Sequence, residues 1–437
     1  MNIWPVRIAP PSAATVLRAT SRPILSLLPL LAAAILIGAG CGSDQSGGGR
    51  VPGDTLTIFS SLPLQGPDAA RSRSILNAEK LALKQAGGEV GRFKVNFAFA
   101  DDAKPDDDNP GWDPRQTADN ARAAVENLRT IAYVGDFDSG ASAVSLPITN
   151  GAGFMQVSPA STAVGLTKLA PGSEKGEPER FYPSGKRTFA RVVPADDVQA
   201  SAAAGWTRRL GAARVYVLGD KSVEGDGRAL QYRLAAGRAG LNVVGDDRMD
   251  PRAKEYRDLA EDIRAKAPDA VYFGGAAESN AVQLWRDLHA ALPKARLVGS
   301  HELLVPQFYS SIGAAAPRTY LTSVAQDPSR LPPAGRRFVR DYRREFGAEP
   351  DPFAAYGHAA MALLLDALRR AGDRGNQRSE LVEQVLSTSD FDSAVGRFSI
   401  DPHGDTSLRR MSGYGVRDGR PVLLAALEGD REPQKGG

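Results

Sequence analysis

The chain is short of the residues that build disulfides and transition-metal sites. Its 437 residues include one Cys, Cys41, and four His, which are His289, His301, His358 and His403. A single Cys excludes an intramolecular disulfide, and the wide spacing of the His residues, without an HExxH motif, argues against a zinc enzyme. The sequence therefore predicts neither a metal nor a cofactor.

An excess of one charge sign is also missing outside the first forty residues. Lys and Arg number 54 and Asp and Glu 51, but Arg7, Arg18 and Arg22 lie in a stretch without any acid or Lys. Removing that stretch leaves acidic and basic side chains equal in number and mixed along the chain. Such a body offers no basic stripe to a phosphate backbone, so we expect no nucleic-acid partner.

The first forty residues have the pattern of an export signal. Three Arg precede an apolar run over 23–40 that ends in small residues, as in a secretory signal peptide. A permanent membrane anchor is the alternative, because about twenty apolar residues can span a bilayer, but Pro23 and Pro29 interrupt the run. We predict a signal peptide over 1–40 and an extracytoplasmic location, at a periplasm or an open cell surface.

Cys41 directly follows Gly38-Ala39-Gly40, and this junction resembles the lipobox of bacterial lipoproteins, whose Cys is acylated before the leader is removed. An incidental free thiol is the alternative, although an exposed free Cys in an oxidising compartment is usually avoided. We predict that Cys41 is lipidated, that the Gly/Ser-rich segment 41–53 is a flexible tether, and that acyl chains hold the protein at the membrane.

From residue 54 onward, short β-rich segments alternate with longer segments of helical period. This alternation predicts an α/β fold with two doubly wound parallel-sheet lobes, joined by crossover strands at 188–193 and 320–324. Lobe 1 is predicted over 54–193 plus 325–388, lobe 2 over 194–324 plus 389–430, and a disordered tail over 431–437. Ligands bind at the carboxyl ends of such strands, so the predicted site is the cleft between the lobes.

No catalytic or nucleotide-binding motif is complete. Gly151-Ala152-Gly153 and Gly225-Asp226-Gly227 lack the third Gly or the Lys of phosphate-binding loops. Ser139 lies between a predicted strand and a predicted helix, but not within Gly-x-Ser-x-Gly. We therefore predict no catalytic residue, and a hydrolase with Ser139 as nucleophile stays an alternative.

Two short polar turns follow consecutive predicted strands. The first is 138–142 (DSGAS), after the strand at 131–134, and the second is 158–162 (SPAST), after the strand at 154–157. Each turn can direct hydroxyls and free helix amides into one cleft, which suits a carboxylate. Ordinary N-capping by Ser and Thr explains the same residues equally well.

The order of these features resembles the type I periplasmic-binding-protein family, specifically the branched-chain (Leu/Ile/Val) amino acid receptors of ABC transporters. The stretch 133–162 shows it best, with a strand, a Ser-rich turn, a helix containing Pro147, and the turn Ser-Pro-Ala-Ser-Thr. Segments 101–114, 217–225 and 271–275 continue the likeness, which covers about 54–420. The resemblance implies the same bilobed fold in a lipoprotein form.

The resemblance also implies a ligand site. Ser139, Ala160 and Thr162 would hold the α-carboxylate and α-ammonium of an amino acid, and Ser161 in the same turn is a further candidate. In the second lobe, Glu224 stands where the family has an aromatic residue, and we predict that it contacts the ligand.

Further departures concern the rest of the side-chain cage. Ala276 replaces a second aromatic, and the first-lobe aromatic is missing near Ala70. The acid that pairs with the ammonium is Glu302, unless His301 occupies its place. A polar or cationic ligand, an amide or a larger molecule is therefore an alternative to an aliphatic amino acid.

The function implied is capture without catalysis. An amino acid or related small polar solute would close the cleft by hinge motion, and the closed form would dock on the permease subunits of an ABC importer. A ligand sensor that partners a membrane signalling protein is the alternative.

Overall fold

The computed structural model describes residues 49–104 and 111–430. The predicted signal peptide, Cys41, most of the tether and the tail 431–437 lie outside these residues. Within the described part, no helix has the length and apolar character needed to cross a membrane.

The secondary structure of the described residues follows the alternation seen in the sequence. The strands are β1 (Thr55–Leu62), β2 (Glu89–Val90), β3 (Phe93–Asp101), β4 (Thr130–Val134), β5 (Met155–Ser158), β6 (Phe189–Arg191), β7 (Arg214–Gly219), β8 (Asn242–Arg248), β9 (Ala270–Phe273), β10 (Arg296–Gly299), β11 (Thr319–Ser323), β12 (Phe391–Ser393), β13 (Gly396–Phe398), β14 (Arg410–Arg417) and β15 (Arg420–Glu428). The α-helices are α1 (Ala69–Gln85), α2 (Pro114–Glu126), α3 (Ser139–Gly151), α4 (Asp196–Arg209), α5 (Val223–Arg238), α6 (Arg257–Ala265), α7 (Ala281–Ala291), α8 (Pro306–Tyr309), α9 (Pro333–Phe346), α10 (Ala354–Ala371) and α11 (Arg378–Leu386).

Two mostly parallel sheets form the centres of the two lobes. The first has the order β2-β3-β1-β4-β5-β6, and the second β15-β14-β11-β10-β9-β7-β8. Antiparallel pairing occurs at β2–β3 in the first sheet and at β11–β14 and β14–β15 in the second. The parallel parts share one doubly wound order, so the α/β prediction is confirmed. In each sheet the winding reverses beside the first strand, which leaves a crevice between β1 and β4 and another between β7 and β9.

The chain passes between the lobes three times. The first two passages follow β6 and β11, close to the predicted crossover strands. The third leads from β13 to β14, and the sequence patterns did not indicate it. The β12–β13 hairpin packs against α9 and α10 of lobe 1, whereas the boundary predicted at residue 389 assigns it to lobe 2. Its apolar residues Val395 and Phe398 are buried in the same core as those helices.

Helices α1 and α10 pack closely in the core of lobe 1. A Cβ atom on Gly357 of α10 would lie 2.6 Å from Cγ2 and 2.9 Å from the carbonyl oxygen of Ile75 in α1. Only Gly permits this approach. The apolar residues of α10 are almost all buried, as expected for a helix that closes a core.

A buried ionic network joins two of the three passages. The side chain of Arg191, fully buried in β6, donates from Nε to Oδ1 of Asp405 over 2.8 Å. Lys168 donates from Nζ to Asp197 over 2.8 Å and lies 3.4 Å from Asp405. Burial opposes ionisation of Asp405, but the charges of Arg191 and Lys168 outweigh it and lower the pKa to about 2. We call Arg191, Asp405, Lys168 and Asp197 the hinge network.

Two further acids are buried beneath the carboxyl ends of β3 and β4. Tyr133 donates to Oδ1 of Asp136 over 2.9 Å, and Ser61 donates to Oδ2 of Asp102 over 3.3 Å. Burial raises the pKa of Asp136 to about 7. Burial, with the nearby Asp136 carboxylate, raises the pKa of Asp102 to about 8.

Removing the acid of the hinge network should destabilise the fold strongly. We expect Asp405→Asn to lower the free energy of unfolding by about 3–5 kcal/mol, because it leaves the Arg191 guanidinium buried without a counter-ion. Urea denaturation measures the change. Asp392→Asn is the matched control, since it breaks an exposed ion pair with Arg397 and should cost about 1 kcal/mol or less. Equal effects of the two substitutions would contradict the role given to the network.

The buried acids predict a fall in stability with rising pH. Their folded-state pKa values lie above the value of 3.8 for a free Asp. Between about pH 4 and 8, the folded protein therefore keeps protons that the unfolded chain has already released, and its stability falls as the pH rises. We expect Asp102→Asn to flatten this decline by about 1.4 kcal/mol per pH unit, measured as unfolding free energy between pH 5 and 7. The exposed Asp119→Asn should leave the slope unchanged, and identical slopes for all three proteins would refute the prediction.

Candidate ligand-binding cleft

A cavity of about 240 Å³ lies where the crevices of the two sheets face each other. We call it the cleft cavity. Its lobe 1 wall consists of Trp112, Phe137, Asp138, Ser139, Gly140, Ala160, Thr162 and Phe353. Its lobe 2 wall consists of Asp220, Ser222, Glu224, Arg228, Ala276, Ser279, His301 and Glu302.

The structure brings together five of the six residues predicted to bind ligand. Ser139, Ala160, Thr162, Glu224 and Glu302 all line the cleft cavity. They do so because each lies just after a strand whose carboxyl end faces the other lobe. The polar turns at strand ends located Ser139, Ala160 and Thr162, whereas the family resemblance located Glu224 and Glu302.

Ser161 does not line this cavity. Its hydroxyl shares a hydrogen bond with Ser142 over 2.8 Å and lies 3.1 Å from the carbonyl oxygen of Asp136. Both partners belong to the buried layer beneath the cleft. Ser161 therefore holds the turn in place from its buried side, while the neighbouring residues Ala160 and Thr162 face the cavity.

The hydroxyl of Ser139 organises the two polar turns. Its Oγ accepts hydrogen bonds from the backbone N–H of Thr162 and of Ala163, each over 3.0 Å. The N–H of Ala160 donates to Ser158 over 3.1 Å. The backbone amides of Ala160 and Thr162 are thus satisfied within lobe 1. With both lone pairs of Ser139 occupied, its own proton has no acceptor among the described residues and remains available to a ligand.

On the facing wall, Asp220 is held by groups of its own lobe. Its carboxylate accepts from the Ser279 hydroxyl over 2.6 Å and from the N–H of Ser222 over 3.0 Å and of Ala276 over 3.2 Å. Burial opposes its charge, but hydrogen bonds from Ser222, Ser279 and Ala276 outweigh that effect and lower the pKa. Asp220 therefore shapes the turn after β7 as a fixed negative charge.

Glu302 and Arg228 form an ion pair at the edge of the cavity. Nη1 of Arg228 lies 3.1 Å from Oε1 of Glu302, and Nε donates to the carbonyl oxygen of Gly274 over 2.7 Å. Burial opposes the charge of Glu302, but Arg228 outweighs it and lowers the pKa. Burial also lowers the pKa of His301 to about 4, so this imidazole is neutral near pH 7. Of the two candidates for the ammonium partner, Glu302 is the charged one.

Arg71, at the start of α1, makes a direct hydrogen bond from lobe 1 to lobe 2. Nη2 donates to the carbonyl oxygen of Leu304 in lobe 2 over 3.0 Å. In lobe 1, Nε lies 3.6 Å from Asp351, and the guanidinium covers the rings of Phe137 and Phe353. No motif in the sequence indicated this residue, because its partner lies far away along the chain.

Aromatic residues line the cavity at positions that the sequence did not predict. The sequence departs from the family pattern near Ala70 and at Ala276, yet Trp112, Phe137 and Phe353 line the lobe 1 side. Trp112 belongs to the loop before α2, within the segment 101–114 that resembles the family. The aromatic surface is therefore present, but on a different set of loops.

Asp138 lies between these aromatic residues and Ser139. Burial, with the negative charges of Asp68 and Glu302 nearby, raises its pKa well above the ordinary value. Its side chain does not cap α3, although it occupies the N-cap position. The lobe 1 wall therefore includes a carboxyl group that makes no capping hydrogen bond to α3.

Comparison with known proteins gives the family. A model described as periplasmic binding protein matches residues 55–420. A Leu/Ile/Val-binding protein of Rhizobium johnstonii is 26% identical over 376 residues, covering 84% of this chain and 93% of that protein. An amino acid binding protein of Pseudomonas aeruginosa is 26% identical over 324 residues, covering 74% of this chain and 79% of that protein.

Solved structures share the fold. A leucine-binding protein from Thermotoga maritima superposes with a TM-score of 0.70 at 22% identity, covering 85% of this chain and 99% of its own. A branched-chain amino acid transporter substrate-binding protein from Streptococcus pneumoniae, in complex with isoleucine, gives 0.69 at 20% identity, covering 86% and 100%. A solute-binding protein from R. palustris in complex with benzoate gives 0.65 at 18% identity, covering 86% and 98%.

These comparisons confirm the resemblance drawn from the sequence and the interpretation as a non-enzyme. The matched region covers both lobes and all the walls of the cleft cavity. Two doubly wound lobes that face each other across a cleft are the architecture this family shares. The chain therefore belongs to the periplasmic binding protein family and is an extracytoplasmic solute-binding protein.

Proposed function

We propose that the protein is the substrate-binding component of an ABC importer and captures an amino acid or related small polar solute in the cleft cavity. The names of its curated relatives, which are Leu/Ile/Val-binding and amino acid binding proteins, support this class of ligand. The proposal rests on two groups that face the same cavity from opposite lobes: one is a hydrogen-bond donor without an acceptor in the described part of the chain, and the other is an ionised acceptor. The donor is the Ser139 hydroxyl and the acceptor is the Glu302 carboxylate.

An α-amino acid matches these two groups. Its carboxylate would accept the proton of Ser139, and its ammonium would lie near the ionised Glu302. Hydrogen bonds that involve a charged group contribute more than neutral ones, about 1.5–3 kcal/mol each. Because the two groups belong to different lobes, a ligand that contacts both favours the closed arrangement over the open one.

Membrane attachment and delivery belong to the same proposal. Lipidation of Cys41 would hold the receptor close to a permease, and the segment 41–53 would give it freedom to turn. Closure by hinge motion would then present a surface of both lobes to the permease, as in other bilobed receptors.

A ligand screen by thermal shift tests the binding function. An amino acid present at 100 times its Kd should add about 2.7 kcal/mol to the unfolding free energy. If no amino acid, amide or small carboxylate shifts the transition, the proposal is wrong.

Ser139→Ala tests the role of the free donor. We expect the affinity for the free amino acid to fall by about 10- to 100-fold, as for the loss of one charge-assisted hydrogen bond. The affinity for the corresponding carboxamide should fall much less, so the ratio of the two affinities is the measured quantity. Ser222→Ala, in the facing wall, is the control that should leave this ratio unchanged. A ratio unaffected by Ser139→Ala would exclude the assignment.

Lipidation is tested by mass spectrometry of the protein from membranes. We expect a mature chain that begins at an acylated Cys41, and we expect Cys41→Ser to release the protein into the soluble fraction. Ser43→Ala is the control and should leave the protein in the membrane fraction. A mature chain that retains the leader, or a Cys41 without lipid, would contradict the prediction.

A further inference from the structure

A second cavity of about 160 Å³ adjoins the cleft cavity. The two share Ser139, Gly140 and Glu224 in their walls. The second cavity continues past these residues between the loop that follows β5 and the start of α5, where Leu166 and Phe181 supply apolar surface. A ligand anchored at Ser139 therefore has room to extend in this direction.

Carboxylates outnumber cations in the walls along this path. Glu224 lies where the two cavities meet, and its carboxylate has no hydrogen bond or ion pair to another described residue. A Cβ on Gly140 would lie 3.1 Å from Oε1 of Glu224, so this lobe 2 side chain reaches the lobe 1 wall. By contrast, Glu302 is paired with Arg228. Glu224 therefore presents an uncompensated negative charge at the junction.

Asp196 provides a second unsatisfied carboxylate. It lines the second cavity, its exposed fraction is 6%, and its Oδ1 has no hydrogen-bond partner. Burial raises its pKa even though Arg228 is near. A buried acceptor without a partner is costly, so Oδ1 is a position at which a ligand donor would bind favourably.

The cation in this second cavity does not satisfy either group. Arg180 lies 2.6 Å from Glu174 and 2.6 Å from Glu177, and both of these acids line the same cavity. The charge of Arg180 is therefore neutralised by Glu174 and Glu177. Arg228 lies near Asp196, but it is paired with Glu302, and neither Arg180 nor Arg228 forms an ion pair with Glu224.

We propose that the ligand carries a second positive charge, as in a dibasic amino acid, and that its ammonium or guanidinium tail lies between Glu224 and Asp196. This inference rests on the proposed function, because it places the α-carboxylate and α-ammonium at Ser139 and Glu302. An aliphatic tail would leave the Glu224 carboxylate and Oδ1 of Asp196 without a partner among the described residues, whereas a cationic tail would neutralise Glu224 and donate to Oδ1 of Asp196. The apolar surface of Leu166 and Phe181 would contact the methylene groups of such a tail.

Matched pairs of ligands test the charge directly. Arginine and citrulline have nearly the same shape but differ in charge, as do lysine and norleucine. We expect isothermal titration of the mature protein to give at least tenfold tighter binding for the charged member of one pair. Equal or tighter binding of the neutral members, or of leucine, would overturn this inference and leave the proposed function standing. Failure of every amino acid, amide and small carboxylate to bind would instead overturn the proposed function.

Two substitutions test the position of the tail. Glu224→Gln and Asp196→Asn should each reduce the preference for the charged member about tenfold, while binding of the neutral member changes little. Glu261→Gln, on the exposed face of α6 in lobe 2, is the control and should preserve the preference. A charge preference that survives both cavity substitutions would exclude this location for the tail.

Discussion

The contact between Arg191 and Asp405 is the interaction on which both the hinge and the site depend. It joins the first and third passages between the lobes in a buried ion pair. The same guanidinium donates to the carbonyl oxygens of Ser161 and Ala163 over 3.1 and 2.8 Å. Those carbonyls belong to the turn whose neighbouring residues face the ligand. One buried charge therefore fixes the axis of closure and the shape of the lobe 1 wall together, which explains why polar groups are tolerated so deep in the molecule.

The cleft is predominantly negative, and this constrains how it closes. Asp220, Glu224 and Glu302 approach the lobe 1 wall from lobe 2, and Arg228 offsets only part of their charge. Closure removes water from these lobe 2 acids, which is unfavourable unless a ligand supplies positive charge. A receptor of this kind shifts its population by differential affinity for the closed form. The Arg71 hydrogen bond to Leu304 favours closure independently of the ligand, so closure depends on the balance between this bond and the desolvation of the cleft acids.

The sequence predicted the parallel core better than the features around it. Central strands such as Ala270–Phe273 are buried on both faces and appear as short apolar runs between turns, which makes them recognisable. The β14–β15 hairpin was not predicted, because it mixes Gly residues with half-buried positions. Ser139 and Thr162 followed from polar turns at strand ends, and Glu224 and Glu302 from the family resemblance. Arg71 and Arg191, by contrast, act through partners more than 200 residues away. Such pairs depend on how the lobes assemble, and a single sequence does not contain that information.

The close packing of α1 against α10 also bears on how the protein is made. The core of lobe 1 needs a helix near residue 80 and another near residue 360, with the whole first part of lobe 2 between them. The first lobe therefore cannot complete its core until most of the chain has been synthesised. The discontinuous lobe therefore delays folding during synthesis, and α1 stays without its packing partner until α10 has been made.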